Sequence, residues 1–219
     1  MNVIETRQLN KRYGRVLAVQ DLDLAIPEGA IYGFIGPNGA GKTTTLRLLA
    51  GLLSPTSGEV YIAGERLDGA SRKVRRLLGY MPDFFGLYPD LKAWEYLDFF
   101  ARCYGVPAGR RQQTIEDLLE LVDLAGKHDA YVQTLSRGMQ QRLCLAHALV
   151  HDPTILLLDE PASGLDPQAR VEMRELLLEL QRMGKTIMVS SHILSELGEI
   201  CDHIGIIERG QMLASGPLG

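Results

Sequence analysis

The chain has 219 residues, a net charge of −4 and 46% hydrophobic residues. This length suits one domain of moderate size, or a domain with a subdomain, and the hydrophobic fraction is enough for a packed core rather than a disordered chain. The negative net charge argues against a protein that coats nucleic acid, although a local basic patch is compatible with it.

The first part of the chain predicts short strands followed by a helix. "VIETRQLN", "VLAVQDLDLAI" and "AIYGFI" are apolar or alternating segments typical of strands. A helix is expected from Lys42 to Leu52, with Gly51 near its end. Two further strands are expected in "GEVYIAG" and in the brief apolar run "GYM" before Pro82.

From Phe84 to Val150 the pattern becomes mainly helical. The apolar spacing predicts helices from Leu91 to Tyr104, from Gln113 to Leu124 and from Ser136 to Val150. Ser136 is a suitable N-cap for the third of them. We therefore expect residues 84–150 to form an inserted helical subdomain.

After this insertion, strands and helices alternate to the end of the chain. Strands are expected over 155–158, 186–190 and 203–208, and helices over 168–183 and 193–200. Such alternation predicts an α/β fold with a mainly parallel central sheet, whose core is formed by residues 1–83 and 151–219 of a single domain. The ending "ASGPLG" predicts no closing element, as in a domain cut from a longer chain.

The cysteines and the lengths of the apolar segments indicate the cellular compartment of the chain. Cys103, Cys144 and Cys201 have no framework spacing, which indicates reduced thiols in an intracellular protein. We see no signal peptide and no apolar stretch of about 20 residues, so the chain is not expected to cross a membrane by itself.

The loop after "AIYGFI" predicts a phosphate site. Its segment "GPNGAGKT" fits G-x-x-x-x-G-K-[ST] in full, between a predicted strand and a predicted helix. Glycines let successive backbone N–H groups turn toward phosphate oxygens, and the helix start adds its positive end. Lys42 is expected to reach the β- and γ-phosphates, and the Thr43 hydroxyl to hold Mg²⁺. The predicted nucleotide-binding residues of the loop are Gly36, Pro37, Asn38, Gly39, Ala40, Gly41, Lys42, Thr43 and Thr44.

A second motif, "TILLLDEP", places two carboxylates at the end of a buried strand. Asp159 is expected to bind Mg²⁺, directly or through water, and Glu160 to act as general base toward an attacking water. A surface Asp-Glu pair after a core strand is the alternative, and the complete phosphate loop upstream argues against it.

Polar residues follow four predicted strands, which in a parallel sheet would all end at one edge. "AIYGFI" leads to the phosphate loop, "ILLL" to Asp159, "TIMVSS" to His192 and "GYM" to Asp83. Ligands of open α/β sheets bind at this edge. A lone histidine after a strand is usually structural, but this convergence favours His192 as part of the site.

At "LSRGMQQR", residues 135–142, the sequence resembles a known family. Together with "GPNGAGKTT" before it and "LLLDEPASGLDP" after it, the segment is similar to the signature of the ATP-binding-cassette (ABC) ATPases, and the likeness covers essentially the whole chain. It implies a P-loop NTPase fold with an N-terminal antiparallel β subdomain, and it implies ATP and Mg²⁺ as ligands.

The resemblance also implies a head-to-tail dimer with a second copy or a homologous ATPase domain. Ser136 and Gly138 would face the γ-phosphate bound by the partner. Tyr13 would stack on adenine, Asp166 would link the two sites across the dimer, and His192 would contact the γ-phosphate as a switch. On pattern alone, the less favoured alternative is that Tyr13 is an ordinary surface tyrosine.

Three positions depart from the commonest family pattern. Arg137 and Met139 stand where Gly and Gln are usual, while Ser136 and Gly138 are kept. Asp83 replaces the usual Gln. Its carboxylate remains a hard ligand for Mg²⁺, but it adds a negative charge near ATP.

The segment "FGLYPDLKAWEYLDFFARCYG" resembles the exporter branch of the family, whose ATPases pair with separate polytopic membrane subunits. It implies an ATPase motor at the cytoplasmic face of the cell membrane, with no nucleic-acid partner. A soluble ABC ATPase acting on nucleic acid or ribosomes is the alternative; such proteins usually carry two cassettes, a coiled coil or basic extensions. A kinase or GTPase would not need the signature or the Asp166 segment.

Aromatic residues are only 6% of the chain, yet they crowd this same segment. Some are expected to fill the core of the helical insertion, since Leu97, Phe100 and Tyr104 share a helical stripe. Phe84, Phe85 and Tyr88 instead lie in a predicted loop, where exposed aromatics usually indicate an interface. We therefore predict a groove here that receives a short helix of a membrane subunit.

Overall fold

The structure, a computed structural model, describes residues 1–68, 72–84 and 86–218. Phe85 of the predicted groove lies outside the described residues. Within them the chain forms two β-sheets with helices packed around the larger one.

The smaller sheet is antiparallel and is built from the N-terminal part of the chain, as predicted. Its strands are β1 (Asn2–Tyr13), β2 (Val16–Pro27), β4 (Ser57–Ile62) and β5 (Glu65–Arg66), in the order β2-β1-β4-β5. The two-residue strand β5 is too short to produce a sequence pattern and was not predicted.

The larger sheet is central and mainly parallel. Its strands are β3 (Ile31–Ile35), β6 (Leu78–Met81), β7 (Ile155–Asp159), β8 (Thr186–Ser191), β9 (His203–Glu208) and β10 (Gln211–Pro217), in the order β10-β9-β3-β8-β7-β6. All neighbouring pairs are parallel except β9 and β10. The prediction of a mainly parallel sheet is therefore confirmed.

The prediction that the ending has no closing element is wrong, because β10 closes this edge of the sheet. The Oγ of Ser215 lies 2.7 Å from the hydroxyl oxygen of the buried Tyr32. Gly205 of β9 makes room for that ring, since a Cβ there would lie 2.2 Å from the Tyr32 hydroxyl oxygen. Burial raises the pKa of Tyr32 to about 12, despite the bond to Ser215. The Gly and Pro residues of "ASGPLG" obscured the strand in the sequence.

Seven helices are present in the described part of the chain: α1 (Lys42–Leu49), α2 (Arg72–Arg76), α3 (Ala93–Cys103), α4 (Ala108–Leu121), α5 (Arg137–Leu149), α6 (Pro167–Arg182) and α7 (Leu194–Leu197). Two 3₁₀ turns, Ala125–Lys127 and Val132–Thr134, lie between α4 and α5.

Several predicted helix boundaries were wrong. The helix expected over 113–124 is α4, which begins at Ala108, directly after Pro107; its polar first turns carry no apolar period, so only the later ones were predicted. The helix expected over 193–200 is the four-residue α7. Helix α2 was not predicted.

The central sheet is apolar on both faces, so the core has two parts. Leu156 and Leu158 of β7 point into the cluster formed with the helical insertion and α6. Ile155 and Leu157 point into the cluster formed with α1 and the antiparallel sheet. Burial on both faces explains why β7 is a continuous apolar run rather than an alternating one.

The helices α3 and α5 are packed around a partly buried histidine, His147. Phe100 stacks on His147 with 3.6 Å between ring centroids, and the Tyr96 hydroxyl lies 3.3 Å from Nδ1 of His147. Burial, with a smaller contribution from the positive charge of His151, lowers the pKa of His147 to about 4.

This histidine predicts a loss of stability in mild acid. The unfolded chain binds the His147 proton more tightly, with a pKa near 6.5, so the neutral ring stabilises the fold fully above about pH 6.5. That contribution, about 3 kcal/mol, is lost as the pH falls from about 6.5 toward 4. Urea unfolding at a series of pH values should show a smaller pH dependence of the unfolding free energy in His147→Gln than in the parent. Equal dependence in the parent and His147→Gln would contradict this assignment.

Candidate nucleotide site

Predicted residues of the phosphate loop and the predicted catalytic residues meet at the edge where four parallel strands end. Residues from the phosphate loop and from the segments after β6, β7 and β8 line a single groove. Its lining is Ala18, Asn38, Gly39, Gly41, Lys42, Thr43, Thr44, Asp83, Glu160, Ser163 and His192. The sheet register thus brings four sequence-distant segments together, as the positions of the strands predicted.

The phosphate loop is held against the rest of the fold at positions where only glycine fits. A Cβ at Gly36 would lie 2.3 Å from the carbonyl oxygen of Ile207. Gly41 has φ +108°, and a Cβ there would lie 2.4 Å from the carbonyl oxygen of Ala18. These close approaches set the loop between β3 and α1, with the α1 N-terminus directed at the groove.

Lys42 lies at the centre of the groove and is nearly buried. Its Nζ donates hydrogen bonds to the carbonyl oxygens of Gly36, at 2.6 Å, and Pro37, at 3.2 Å. The same atom lies 3.2 Å from Oε1 of Glu160. A cation fixed in this way presents a localised positive charge to an anionic ligand of the loop.

Asp159 and Glu160 are positioned by a residue that the sequence analysis did not single out, Ser190. Asp159 and Ser190 are register partners on β7 and β8. The buried Ser190 hydroxyl donates to Asp159 Oδ1 at 2.6 Å and accepts from the Glu160 backbone N–H at 3.0 Å. A serine at the polar end of "TIMVSS", opposite the carboxylate pair, is the sequence signal that could have found it.

Glu160 is held in an uncommon backbone conformation. Its φ is +50°, in the left-handed region that costs a non-glycine residue about 1 kcal/mol or more. Its Oε2 lies 2.9 Å from Nδ1 of His192, and its Oε1 faces Lys42. The carboxylate is therefore aimed into the groove between two basic side chains, as a general base toward a bound phosphate would need to be.

The oxygen atoms of the groove suit a hard cation that is held jointly with phosphates. Asp159 Oδ2 is buried and accepts no hydrogen bond from the described residues, while Glu160 Oε1, also buried, has the Lys42 ammonium 3.2 Å away as its only partner among them. The described residues contain no group of three or more His, Cys, Asp or Glu side chains that could hold a metal ion alone. Mg²⁺ usually binds through one or two protein oxygens together with substrate phosphates and water, so the donor set fits it.

Asp83 lies within the field of the other two carboxylates. Partial burial, followed by the charges of Asp159 and Glu160, raises the pKa of Asp83, and the positive charges of Arg137 and Lys42 lower it to a smaller extent. The groove therefore concentrates negative charge that a cation would offset.

The remaining predicted residues do not line this groove. Tyr13 is half exposed at the end of β1, with the Lys11 ammonium 5.3 Å from its ring centroid. Ser136 caps α5 by accepting from Met139 N at 3.3 Å, and Asp166 caps α6 by accepting from Ala169 N at 2.9 Å. Gly138 faces α6 and the turn before it: a Cβ there would lie 3.3 Å from Ala169 Cβ and 3.6 Å from Leu165.

Ser190→Ala should impair the site and the fold together. It leaves a buried carboxylate oxygen and a backbone N–H without their partner, which costs about 1–3 kcal/mol of unfolding free energy. Misplacement of Glu160 should also slow ATP hydrolysis about tenfold or more. Both are measured by denaturant titration and phosphate release, with the exposed Ser195→Ala as the control. Parent-like hydrolysis in Ser190→Ala would contradict the positioning role.

The chain is similar to known proteins along almost its whole length. Residues 19–163 match the family described as ABC transporter. The Nod factor export ATP-binding protein I of Burkholderia orbicola (strain AU 1054) is 44% identical over 213 residues, 97% of this chain and 70% of that protein.

Solved structures share the fold, and two of them are also similar in sequence. One, described as the ATP binding subunit of an ABC transporter, has a TM-score of 0.86 and 30% identity, with 99% of this chain and 90% of the other covered. The second is cbiO1 from Clostridium perfringens, described as part of the ABC transporter complex cbiONQ; it has a TM-score of 0.88 and 26% identity, covering 99% and 88%.

Within the described residues, no helix is long and apolar enough to cross a lipid bilayer. The family match spans the phosphate loop and the three carboxylates Asp83, Asp159 and Glu160. The chain belongs to the ABC transporter family, as an ATP-binding and ATP-hydrolysing subunit of the transporter type.

Proposed function

We propose that the chain drives export, as a motor at the cytoplasmic face of a membrane whose substrate pathway lies in separate polytopic subunits. ATP hydrolysis by this site is supported by the position of the Glu160 carboxylate, which lies 3.2 Å from Lys42 Nζ and 2.9 Å from His192 Nδ1. The direction of transport is supported by the relative named as an export protein. That name also favours a transporter over a soluble ATPase acting on nucleic acid or ribosomes.

Each groove residue then has a role in turning ATP and water into ADP and phosphate. Lys42 and the loop N–H groups bind the β- and γ-phosphates. Glu160 accepts a proton from the attacking water, and His192 holds Glu160 while contacting the γ-phosphate. Thr43, Asp159 and Asp83 would hold Mg²⁺, which supplies neutralisation of phosphate charge.

Two copies of the chain, or this chain and a homologous domain, would close head to tail around ATP. Ser136 and Gly138 begin α5, so their backbone N–H groups are available to a phosphate bound by the partner. Asp166 begins α6 on the loop that follows Glu160 and would link the two sites. Tyr13, exposed at the end of β1, would stack on adenine. ATP binding then favours the closed dimer, and hydrolysis reopens it.

Glu160→Gln tests this cycle, because the change keeps the shape of the side chain and removes the base. Turnover should fall about 10²–10⁴-fold while ATP still binds. An ATP-dependent dimer should accumulate and be visible by light scattering at high protein concentration. Lys42→Ala is the matched control, since it should lose both ATP binding and the dimer. A strictly monomeric Glu160→Gln protein at saturating ATP would count against head-to-tail closure.

We also propose that residues 84–150 form the helical subdomain and that its aromatic face receives a short helix of the membrane subunit. Phe84 is 91% exposed directly after the groove residue Asp83. Tyr88 is half exposed, and its ring lies 5.8 Å from that of the exposed Phe99. Tyr96, on the same helix as Phe99, is buried and belongs to the core. The cluster therefore divides into a packed part and an uncovered part.

Phe84→Ser should abolish transport while the protein remains folded. Because its side chain is almost fully exposed, the change should leave the isolated protein folded, with ATPase activity near that of the parent. Copurification with the membrane subunits, and transport, should be lost. Leu213→Ser, a comparable exposed change on β10 at the opposite edge of the sheet, should have no effect on either. Unfolding of Phe84→Ser, or intact copurification, would refute the docking role.

A further inference from the structure

Gln141 is a polar side chain of α5 that is enclosed in the core. Of the polar residues of this helix, all of which the structure describes, only Gln141 is buried, with 3% of its surface exposed. Its Nε2 donates a hydrogen bond to the carbonyl oxygen of Ser163 at 3.0 Å, while its Oε1 is buried and accepts no hydrogen bond from the described residues. An apolar side chain of the same length would avoid the cost of that buried oxygen, so stability alone does not explain an amide here.

The turn that Gln141 reaches begins at the proposed general base, Glu160. The backbone N–H of Ser163 donates to the carbonyl oxygen of Glu160 at 3.0 Å, which closes a turn over residues 160–163. On the other side of the same residue, the backbone N–H of Glu160 donates to the Ser190 hydroxyl at 3.0 Å. Hydrogen bonds therefore hold the Glu160 main chain on both sides. One comes directly from β8, and the other comes through a turn that is itself bonded to α5.

This support is important because the backbone of Glu160 is strained. Its φ of +50° lies in a region that a non-glycine residue keeps only when its surroundings hold it there. The direction of its carboxylate, toward Lys42 and His192, depends on that conformation. Since Ser190 fixes only the N–H side of the residue, the turn on the carbonyl side needs an anchor of its own.

Other residues at the start of α5 pack against the rest of this loop. The guanidinium of Arg137 covers Gly164, because a Cβ built on Gly164 would lie 2.5 Å from Cζ of Arg137. A Cβ built on Gly138 would lie 3.6 Å from Leu165. These contacts restrict the position of the loop, whereas the Gln141 amide adds a directed hydrogen bond from a buried side chain, where such a bond is strong.

We propose that Gln141 is a positioning residue for the general base: its hydrogen bond to Ser163 anchors the turn that holds Glu160 in its left-handed conformation. The inference rests on the general-base role proposed for Glu160 above. Gln141 does not line the nucleotide groove, so it acts on the rate of hydrolysis rather than on ATP binding.

The test replaces Gln141 by Met, which has a similar length and no hydrogen-bond donor. The kcat of ATP hydrolysis should fall about tenfold, because a small displacement of a catalytic group is costly. KM, and the affinity for a non-hydrolysable ATP analogue with Mg²⁺ measured by calorimetry, should stay within about twofold of the parent. Gln140→Met is the matched control and should keep the parent kcat. Gln140, also on α5, donates from Nε2 at 3.1 Å to the carbonyl oxygen of Val132, which does not line the groove.

Three outcomes of this comparison would overturn the proposal. One is a parent-like kcat in Gln141→Met, and another is an equal loss of kcat in Gln141→Met and Gln140→Met. The third is unfolding of Gln141→Met, or a loss of analogue affinity as large as the loss of kcat, since either would assign the side chain a purely structural role.

A second comparison shows whether Gln141 acts through Glu160. In the Glu160→Gln background the base is gone, so adding Gln141→Met should change the residual phosphate release by less than about twofold. A further tenfold loss in that background would mean that Gln141 acts elsewhere, and the proposal would be wrong. Unchanged hydrolysis in Glu160→Gln would overturn the general-base role itself. A slow Glu160→Gln beside an unaffected Gln141→Met would overturn the present inference alone.

Discussion

The parallel register of β3, β8, β7 and β6 is the constraint on which the site depends. Because these strands run in one direction, Ile35 pairs with Ser191, Asp159 with Ser190 and Met81 with Leu158, and all of them end at one edge. The residues that follow each strand must then share a small volume. The buried Asp159 accepts a hydroxyl hydrogen bond from Ser190 on the neighbouring strand, which offsets part of the cost of its burial.

The charges at this edge form a balance that suits a polyanion with a cation. Lys42 and the α1 N-terminus supply positive potential on the loop side, while Asp83, Asp159 and Glu160 supply negative charge on the other. A triphosphate alone would be attracted by Lys42 and repelled by the carboxylates. A divalent cation alone would be attracted by the carboxylates and repelled by Lys42. Both are bound favourably when they arrive together, which gives a physical reason for a metal–nucleotide substrate.

The sequence predicted the parts of the fold whose signals are local. The phosphate loop, the apolar run of β7 and the cap Ser136 each depend on a few adjacent residues. Ser190 was missed because its role depends on a partner 31 residues away, brought opposite by the sheet register. Strand β10 was missed because its stability comes from pairing with β9 and from the Tyr32–Ser215 bond rather than from its own composition.

A short stretch of chain after β6 joins the nucleotide groove to the protein surface, which provides a route by which the nucleotide state can affect that surface. Met81 is buried in the strand β6, Asp83 lines the groove, and Phe84 is almost fully exposed. Within residues 81–84 the chain therefore passes from the core, past the nucleotide groove, to the surface. A single peptide unit separates Asp83 from Phe84, so a displacement of the Asp83 backbone has a short route to the exposed ring. The tie between Arg137 and Gly164 connects the other end of the helical insertion to the loop after Glu160. The insertion therefore contacts the surroundings of the groove at both of its ends, in addition to the apolar core that it shares with the central sheet.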